Sequence, residues 1–318
     1  MFYIKFMRKK IYSVTLIGLG NIGFKYDIRY KSKKTSMSHA SSINQHPNYN
    51  LLCGIDLKRK NRKEFENYYG LPTFRKFSDS ILEHKPDIVI VSVNTESHKK
   101  IIKEIVSKYK PIYILIEKPM GSNLNDAKII HNLCKKNKIK LSVNYPRVCD
   151  VKLRTIKEKY ITKNKLITTG SVFYSKGILH NGSHFINLLE FYFGKVLKIK
   201  AFDKIRSLLK QDSNPFLQIS FKNAEIVFIP VSGKETNFYS IELINKNNRI
   251  RFDHVGKAYV SQINNLNKKI KIETNQFNYQ LEVYKEMYKD LTNKKSFICK
   301  AEDALRIHKH LNQLNKNG

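Results

Sequence analysis

The stretch Ile11-Tyr-Ser-Val-Thr-Leu-Ile17-Gly18-Leu19-Gly20-Asn21-Ile22-Gly23 decides the fold of this 318-residue chain. Its first seven residues form a β-rich apolar run that stops on a glycine-rich turn, and a helix is expected beyond it. In such a turn Gly18 permits the tight bend, Gly20 lets a pyrophosphate approach the backbone, and Gly23 allows helix and strand to pack closely. The helix start that carries Asn21 and Ile22 offers unpaired N–H groups and a partial positive charge to phosphates.

Outward from this turn, further apolar runs of strand length fall at 49–55, 88–93, 112–116 and 139–144. Helical patterns at about 59–69, 78–84, 96–109 and 123–137 separate them. Continuously apolar strands alternating with amphipathic helices predict a parallel sheet covered on both faces, and right-handed crossovers make it doubly wound. Phe24 to Asn50 is longer than a minimal crossover and holds the polar run Lys31-Ser-Lys-Lys-Thr-Ser-Met-Ser38. It reads as a loop between two short helices, either working near a ligand or a tolerated surface insertion.

From about residue 147 the texture changes. A helix at about 149–160 precedes strand-like alternation at 165–175, 196–203, 215–221, 224–231, 237–245 and 248–254. One helix interrupts these at about 181–193, and two close the chain at about 277–292 and 301–314. Short turns between successive β-runs predict a largely antiparallel sheet. The expected class is α/β: a doubly wound Rossmann domain over 1–146, then an α+β domain over 147–318 with a largely antiparallel open sheet.

Hydrophobic residues make up 41% of the chain, with 18 Tyr and 18 Phe, which builds sizeable cores and excludes a disordered or disulfide-stapled chain. Lys+Arg total 59 against Asp+Glu 26, a formal net charge of +33. Most of the basic residues are lysine, scattered in short clusters such as Lys9-Lys10, Lys33-Lys34, Lys135-Lys136 and Lys294-Lys295. No Arg-rich stripe or aromatic platform accompanies them, so a solvated surface is expected rather than a specific nucleic-acid interface. A basic nucleic-acid binder stays open on net charge alone, and a positive field would help draw in any anionic ligand. Cys53, Cys134, Cys149 and Cys299 are widely separated with no C-x-x-C pair, which points to a reduced, cytoplasmic setting. No segment reaches ~18 uninterrupted apolar residues, so no membrane span is expected.

Two further motifs carry chemistry. Asp56 closes the second strand, where a carboxylate can accept both adenosine ribose hydroxyls; the insertion before His39 accounts for its distance from the glycines. A carboxylate there repels a 2′-phosphate, which favours NAD(H), while Lys58 and Arg59 keep NADP(H) as the alternative. Glu117-Lys118-Pro119 follows the fourth apolar run directly, at the carboxyl edge where such sheets bind ligands. A lysine beside a positive nicotinamide ring is poised for acid–base work.

Taken with the loop Val93-Asn94-Thr95-Glu96-Ser97-His98 and with Asn144-Tyr145-Pro146-Arg147, these motifs resemble the glucose–fructose oxidoreductase/inositol dehydrogenase (Gfo/Idh/MocA) family. Gly177-Ile-Leu-His180-Asn-Gly182-Ser-His184-Phe-Ile-Asn187 is similar to that family's G-x-L-x-D-x-G-x-H-x-x-D segment. The resemblance implies an NAD(P)-dependent oxidoreductase that moves a hydride between nicotinamide and a hydroxyl- or keto-bearing carbon of a sugar, polyol or sugar nucleotide. Lys118 would match the lysine that helps transfer the proton of the reacting hydroxyl, and His184 the pocket histidine assigned as acid/base. Tyr145 and Arg147 would line the substrate side. Asn94, Thr95 and His98 would lie against the cofactor together with Glu117, and His39 would match a histidine after the glycine-rich helix start. The open sheet would make the contacts of a homodimer or homotetramer.

Two positions depart from the family pattern: His180 and Asn187 stand where it has aspartates. The first loss removes a charge that would favour protonation of His184. The expectation is that Lys118 and His184 carry the chemistry while His180 and Asn187 contact substrate; simple local packing of His180 is the other reading. By analogy alone, the segment inclines toward nucleotide-sugar enzymes of surface-polysaccharide pathways. The alternative is a non-catalytic NAD(P)-binding sensor or assembly protein of the same fold. His84, His131, His254, His308 and His310 read as polar helix or strand-edge residues without metal-ligand spacing, so no metal is expected.

Overall fold

The computed structural model describes residues 10–30, 36–161, 167–205, 212–231, 238–253, 257–274 and 278–314. His254 and the stretch 31–35 of the polar run lie outside them. The chain divides into two compact units that interleave along the sequence. One comprises Met1–Glu117, Ile129–Ser142 and Gln280–Ser296; the other comprises Lys118–Lys128, Val143–Tyr279 and Phe297–Gly318.

The first unit is built on a six-stranded sheet. In chain order its elements are β1 (Tyr12–Ile17), α1 (Tyr26–Tyr30), α2 (His39–Gln45), β2 (Tyr49–Ile55), α3 (Arg59–Tyr69), β3 (Thr73–Phe74) and α4 (Phe77–Ser80). These are followed by β4 (Ile88–Val91), α5 (Thr95–Lys108), β5 (Tyr113–Glu117), α6 (Leu124–Lys136) and β6 (Lys140–Asn144). The strands lie in the order β3-β2-β1-β4-β5-β6, with β1 parallel to both β2 and β4. Every residue of β4, Ile-Val-Ile-Val, is buried, as a strand covered on both faces requires. The order reverses between β1 and β4, the switch point outside whose strand ends such sheets bind ligands. The glycine turn follows β1 at that point.

Local chemistry sets the helix ends. Ser38 caps α2 by accepting the Ser41 N–H at 3.0 Å, and α3 stops at Gly70, which takes the left-handed φ of +67°. The helix after the glycine turn opens as one π-helical turn, Asn21–Lys25, in which Lys25 N–H reaches the Gly20 carbonyl at 3.0 Å. Two details differ from the sequence expectation. Strand β3 has two residues, too few for any periodicity to show, and the helix expected over 78–84 is only the short α4. The residue before Pro86 is driven away from helical angles, which limits that segment.

The second unit carries α7 (Val151–Ile156), β7 (Thr168–Tyr174), α8 (Ser183–Phe193), β8 (Lys198–Ile205), β9 (Asn214–Phe221), β10 (Ala224–Pro230) and β11 (Ser240–Ile244). It continues with β12 (Asn248–Phe252), β13 (Lys257–Gln262) and β14 (Asn265–Glu273), while the last helices of the chain are α9 (Tyr279–Leu291) and α10 (Ala301–Leu314). Its eight strands run β14-β13-β12-β11-β7-β10-β9-β8; β7 and β10 pair parallel and the other pairs are antiparallel. Burial alternates strictly along β9, so its one face is core and its other is not. The inward face, including Val172, Leu217, Phe228 and Leu243, packs with Phe185 and Leu189 of α8 and with Ile307 and Leu311 of α10. Arg306 joins the two helices by a bidentate pair with Glu190, at 3.0 and 2.9 Å. Strands β13 and β14 extend the sheet beyond the runs read from sequence. Among the described residues no helix is long and apolar enough to cross a membrane.

From Gln280 onward, α9 belongs to the first unit despite its late position in the chain. There Tyr284 is fully buried, the Tyr49 hydroxyl donates to its carbonyl at 3.0 Å, and the Tyr113 hydroxyl donates to Asp290 at 3.1 Å.

Candidate active site

In the first unit the glycine turn is held by its own backbone. Gly18 adopts φ +98°, and a Cβ there would lie 2.6 Å from the Ser92 carbonyl group. A Cβ on Gly23 would lie 2.1 Å from the Gly18 carbonyl oxygen. At Gly20, by contrast, a Cβ would meet nothing within 4 Å. Two glycines are therefore required by the fold itself, while the third faces open space. Ser92 locks the turn, its hydroxyl donating to the Gly18 carbonyl at 2.7 Å. Asn21 is exposed and Ile22 half-buried on the π-helical turn.

Asp56 does more than wait for a ligand. Its Oδ2 accepts the Leu19 N–H at 2.9 Å and the Asn61 side-chain amide at 3.0 Å, while Oδ1 accepts the Lys58 N–H at 2.8 Å. A carboxylate offers about four acceptor positions, so three are already used and one further donor can be taken without displacing Asn61. Asn94 is exposed at the start of α5, Thr95 is half-buried, and His98 is buried with Nε2 3.1 Å from the Val93 carbonyl. Glu117 is tied to the fully buried His39, whose Nε2 lies 3.0 Å from Oε1 and whose Nδ1 lies 2.9 Å from the Tyr284 hydroxyl.

The chain passes from the first unit to the second between Glu117 and Lys118, where the Lys118–Pro119 bond is cis. Within the second unit the remaining candidates lie close together. Lys118 Nζ donates to the His180 carbonyl at 3.0 Å. The Tyr145 ring meets His184 edge-on at 5.4 Å, and the Arg147 guanidinium lies over the rings of Phe185 at 4.8 Å and Tyr239 at 5.1 Å. Burial, then the cationic Lys118 and Arg147, push His184 well below the ordinary imidazole value, so it is neutral at physiological pH. Its Nδ1 is buried and has no hydrogen-bond partner among the described residues, and the same holds for Asn187 Oδ1. Asn187 Nδ2 lies 3.4 Å from Cys299 Sγ.

One residue of this cluster escapes sequence reasoning. Asp212, buried, accepts the Leu179 and His180 backbone N–H groups at 2.8 Å each, and its Oδ2 lies 2.8 Å from His180 Nδ1. Gly177 makes room for it: a Cβ at that φ of +87° would lie 1.9 Å from Asp212 Oδ2. The only sequence cue is the turn-forming run Asp212-Ser-Asn-Pro215, which says nothing of its partner. His308 also departs from expectation. It is buried rather than a polar surface residue, and burial lowers its pKa to about 4. Among the described residues no three His, Cys, Asp or Glu side chains are grouped so as to hold a metal ion.

Residues 12–145 match the model of an oxidoreductase family with an NAD-binding Rossmann fold, GFO_IDH_MocA. Through them the first unit is similar to the Gfo/Idh/MocA oxidoreductase family. Solved structures extend the likeness of fold to nearly the whole chain. A dehydrogenase from Chromobacterium violaceum superposes with a TM-score of 0.77 at 10% identity, covering 97% of this chain and 95% of its own. UDP-N-acetylglucosamine 3-dehydrogenase GnnA from Acidithiobacillus ferrooxidans gives 0.73 at 11% identity, covering 95% and 96%. The WlbA dehydrogenase from Bordetella pertussis, in complex with NADH and UDP-GlcNAcA, gives 0.72 at 14% identity, covering 96% of each chain. No curated protein sequence matches the chain. The glycine turn fits a dinucleotide: its outer glycines are folded tightly on neighbouring backbone, and Gly20 leaves open the approach that a pyrophosphate needs.

Proposed function

We propose that this protein is an oxidoreductase that transfers a hydride between NAD(H) and a hydroxyl- or keto-bearing carbon of a sugar or sugar nucleotide. NAD, when bound, supplies the hydride acceptor; NADP is the disfavoured alternative because Asp56 would face its 2′-phosphate. The turn Gly18–Gly23, with Asn21 and Ile22, cradles the pyrophosphate, and Asp56 takes one ribose hydroxyl. Asn94, Thr95, His98 and Glu117 hold the nicotinamide-side half. Lys118 and His184 hold the reacting hydroxyl, with Tyr145, Arg147, His180 and Asn187 around the substrate.

The observation that carries this reading is the pair of buried, unpartnered polar atoms, His184 Nδ1 and Asn187 Oδ1, one helical turn apart, with the cationic Lys118 and Arg147 near His184. Leaving such atoms unsatisfied costs about 1–3 kcal/mol each, and the hydroxyls of a polyhydroxylated ligand, which donate and accept, supply the missing partners. The neighbouring cations suit an anionic substrate, and two proteins of the same fold are named for or bound to UDP-sugars. This favours a nucleotide sugar, in keeping with a role in surface-polysaccharide synthesis. Phe173 and Ile244, exposed on the outward face of the second sheet, favour a homo-oligomer formed through that face.

The test is NAD reduction and NADH oxidation across a panel of UDP-sugars, free sugars and polyols. Turnover is expected on a UDP-sugar, and Lys118→Ala should lower kcat about 10²–10⁴-fold. Tight NAD binding with no turnover on any member of the panel would replace this reading with that of a cofactor-binding sensor.

A further inference from the structure

The two histidines of the segment 178–184 are chemically unlike. His184 has a buried Nδ1 and cationic neighbours, an environment that holds it neutral and opposes its taking a proton. His180 has the opposite setting. Its Nδ1 lies 2.8 Å from Asp212 Oδ2, an oxygen that already accepts the His180 backbone N–H, so the imidazole must meet it as a donor. That fixes the neutral tautomer with the proton on Nδ1 and leaves Nε2 as the basic nitrogen. The carboxylate is rigid: a second backbone N–H, from Leu179, holds its other oxygen, and Gly177 packs against it where no side chain would fit. The His180 side chain itself remains 40% exposed, so Nε2 can exchange a proton with solvent.

We propose that His180 is the group that accepts the proton of the substrate hydroxyl, with Asp212 as the positioning residue behind it. This rests on the oxidoreductase reading above. The step balances simply. The carbinol C–H bond breaks and its electron pair leaves with the hydrogen as hydride to the nicotinamide ring. The O–H bond breaks, its proton goes to Nε2 of His180, and its electrons complete the C=O bond. The imidazolium that forms faces the Asp212 carboxylate, as in any histidine backed by a carboxylate. Lys118, fixed at 3.0 Å to the His180 carbonyl, holds the oxygen as the charge develops, and reduction runs the same steps in reverse. Asp212 supplies a carboxylate to a segment that has none of its own, acting from 32 residues away.

Two measurements test this. In the first, ¹⁵N shifts of the His180 imidazole in the labelled full-length protein, assigned by its loss in His180→Ala, should report the Nδ1–H tautomer, and Asp212→Asn should abolish that preference. An Nε2–H tautomer in the wild type overturns the proposal whether or not turnover is seen. In the second, NAD reduction is followed with UDP-N-acetylglucosamine and the rest of the panel. His180→Ala should lower kcat about 10²–10⁴-fold with the KM for NAD unchanged, and added imidazole should restore part of the rate. Asp212→Asn should lower kcat in the same sense without rescue. A His180→Ala enzyme that keeps kcat within about threefold overturns the proposal and spares the oxidoreductase reading. A wild type that turns over no member of the panel overturns the reading beneath it.

Discussion

The glycine turn and the His180–Asp212 pair are assembled in opposite ways. The turn is made of backbone: Gly18 and Gly23 touch each other, Ser92 clips the same carbonyl, and Asp56 ties in Leu19. The pair is made of side chains brought together across 32 residues of sequence. At Gly18 and Gly23 the backbone machinery has no room for an added atom, whereas the side-chain machinery depends on one partner arriving from elsewhere.

Substitutions can break this contrast, beginning with the largest effect. Gly23→Ala forces a Cβ to 2.1 Å from the Gly18 oxygen, a backbone that cannot swing away. A loss of several kcal/mol in unfolding free energy and loss of the thermal shift with NAD are expected; a melting temperature equal to wild type would refute it. Gly177→Ala should cost less, about 1–3 kcal/mol, because the displaced group is the Asp212 side chain. Its signature is a fall in kcat that exceeds its fall in stability. The smallest effect belongs to Gly20→Ala. With nothing within 4 Å, it should leave stability within about 0.5 kcal/mol while weakening NAD in a binding titration. Unchanged affinity would show that the pyrophosphate does not pass there.

Between these extremes lies a pH effect that samples each unit separately. His46 in the first unit and His308 in the second both have pKa values lowered to about 4, chiefly by burial, with Lys285 adding to the shift at His46. Below the ordinary imidazole value of 6.5 the unfolded chain binds protons that these folded residues refuse. Their stabilising contribution is therefore complete above about pH 6.5 and is lost progressively as pH falls toward 4. Chemical denaturation across that window should show the fall, and His308→Gln or His46→Gln should each flatten it by up to about 1.4 kcal/mol per pH unit. An unaltered slope in both variants would remove burial of these rings as its cause.

The same contrast explains what the sequence could say. The positions of the glycine turn, Asp56 and Glu117-Lys118 at strand ends were legible because each directly follows or closes an apolar strand. Asp212 was not, since nothing near it encodes His180 as its partner. His308 was legible in principle. It lies four residues after Ala304 and three before Leu311, both buried, and that spacing puts it on the inner face of α10 despite its polar neighbours. Strand β14 was hidden because Lys and Asn interrupt its apolar alternation, as in Lys268-Lys269-Ile270-Lys271, whereas β13 alternates, with Ala258 and Val260 buried, and was legible in principle.

The late placement of Gln280–Ser296 has a consequence for biosynthesis. The first sheet is complete through β6 at Asn144, but Tyr284 and Asp290, which bind His39, Tyr49 and Tyr113, are translated only near the end of the chain. At ~5–20 residues per second a ribosome needs on the order of ten seconds or more to deliver them. Throughout that interval the nascent first unit presents an uncapped tyrosine-lined surface, so its folding is finished from the tail and not in the order in which it is made.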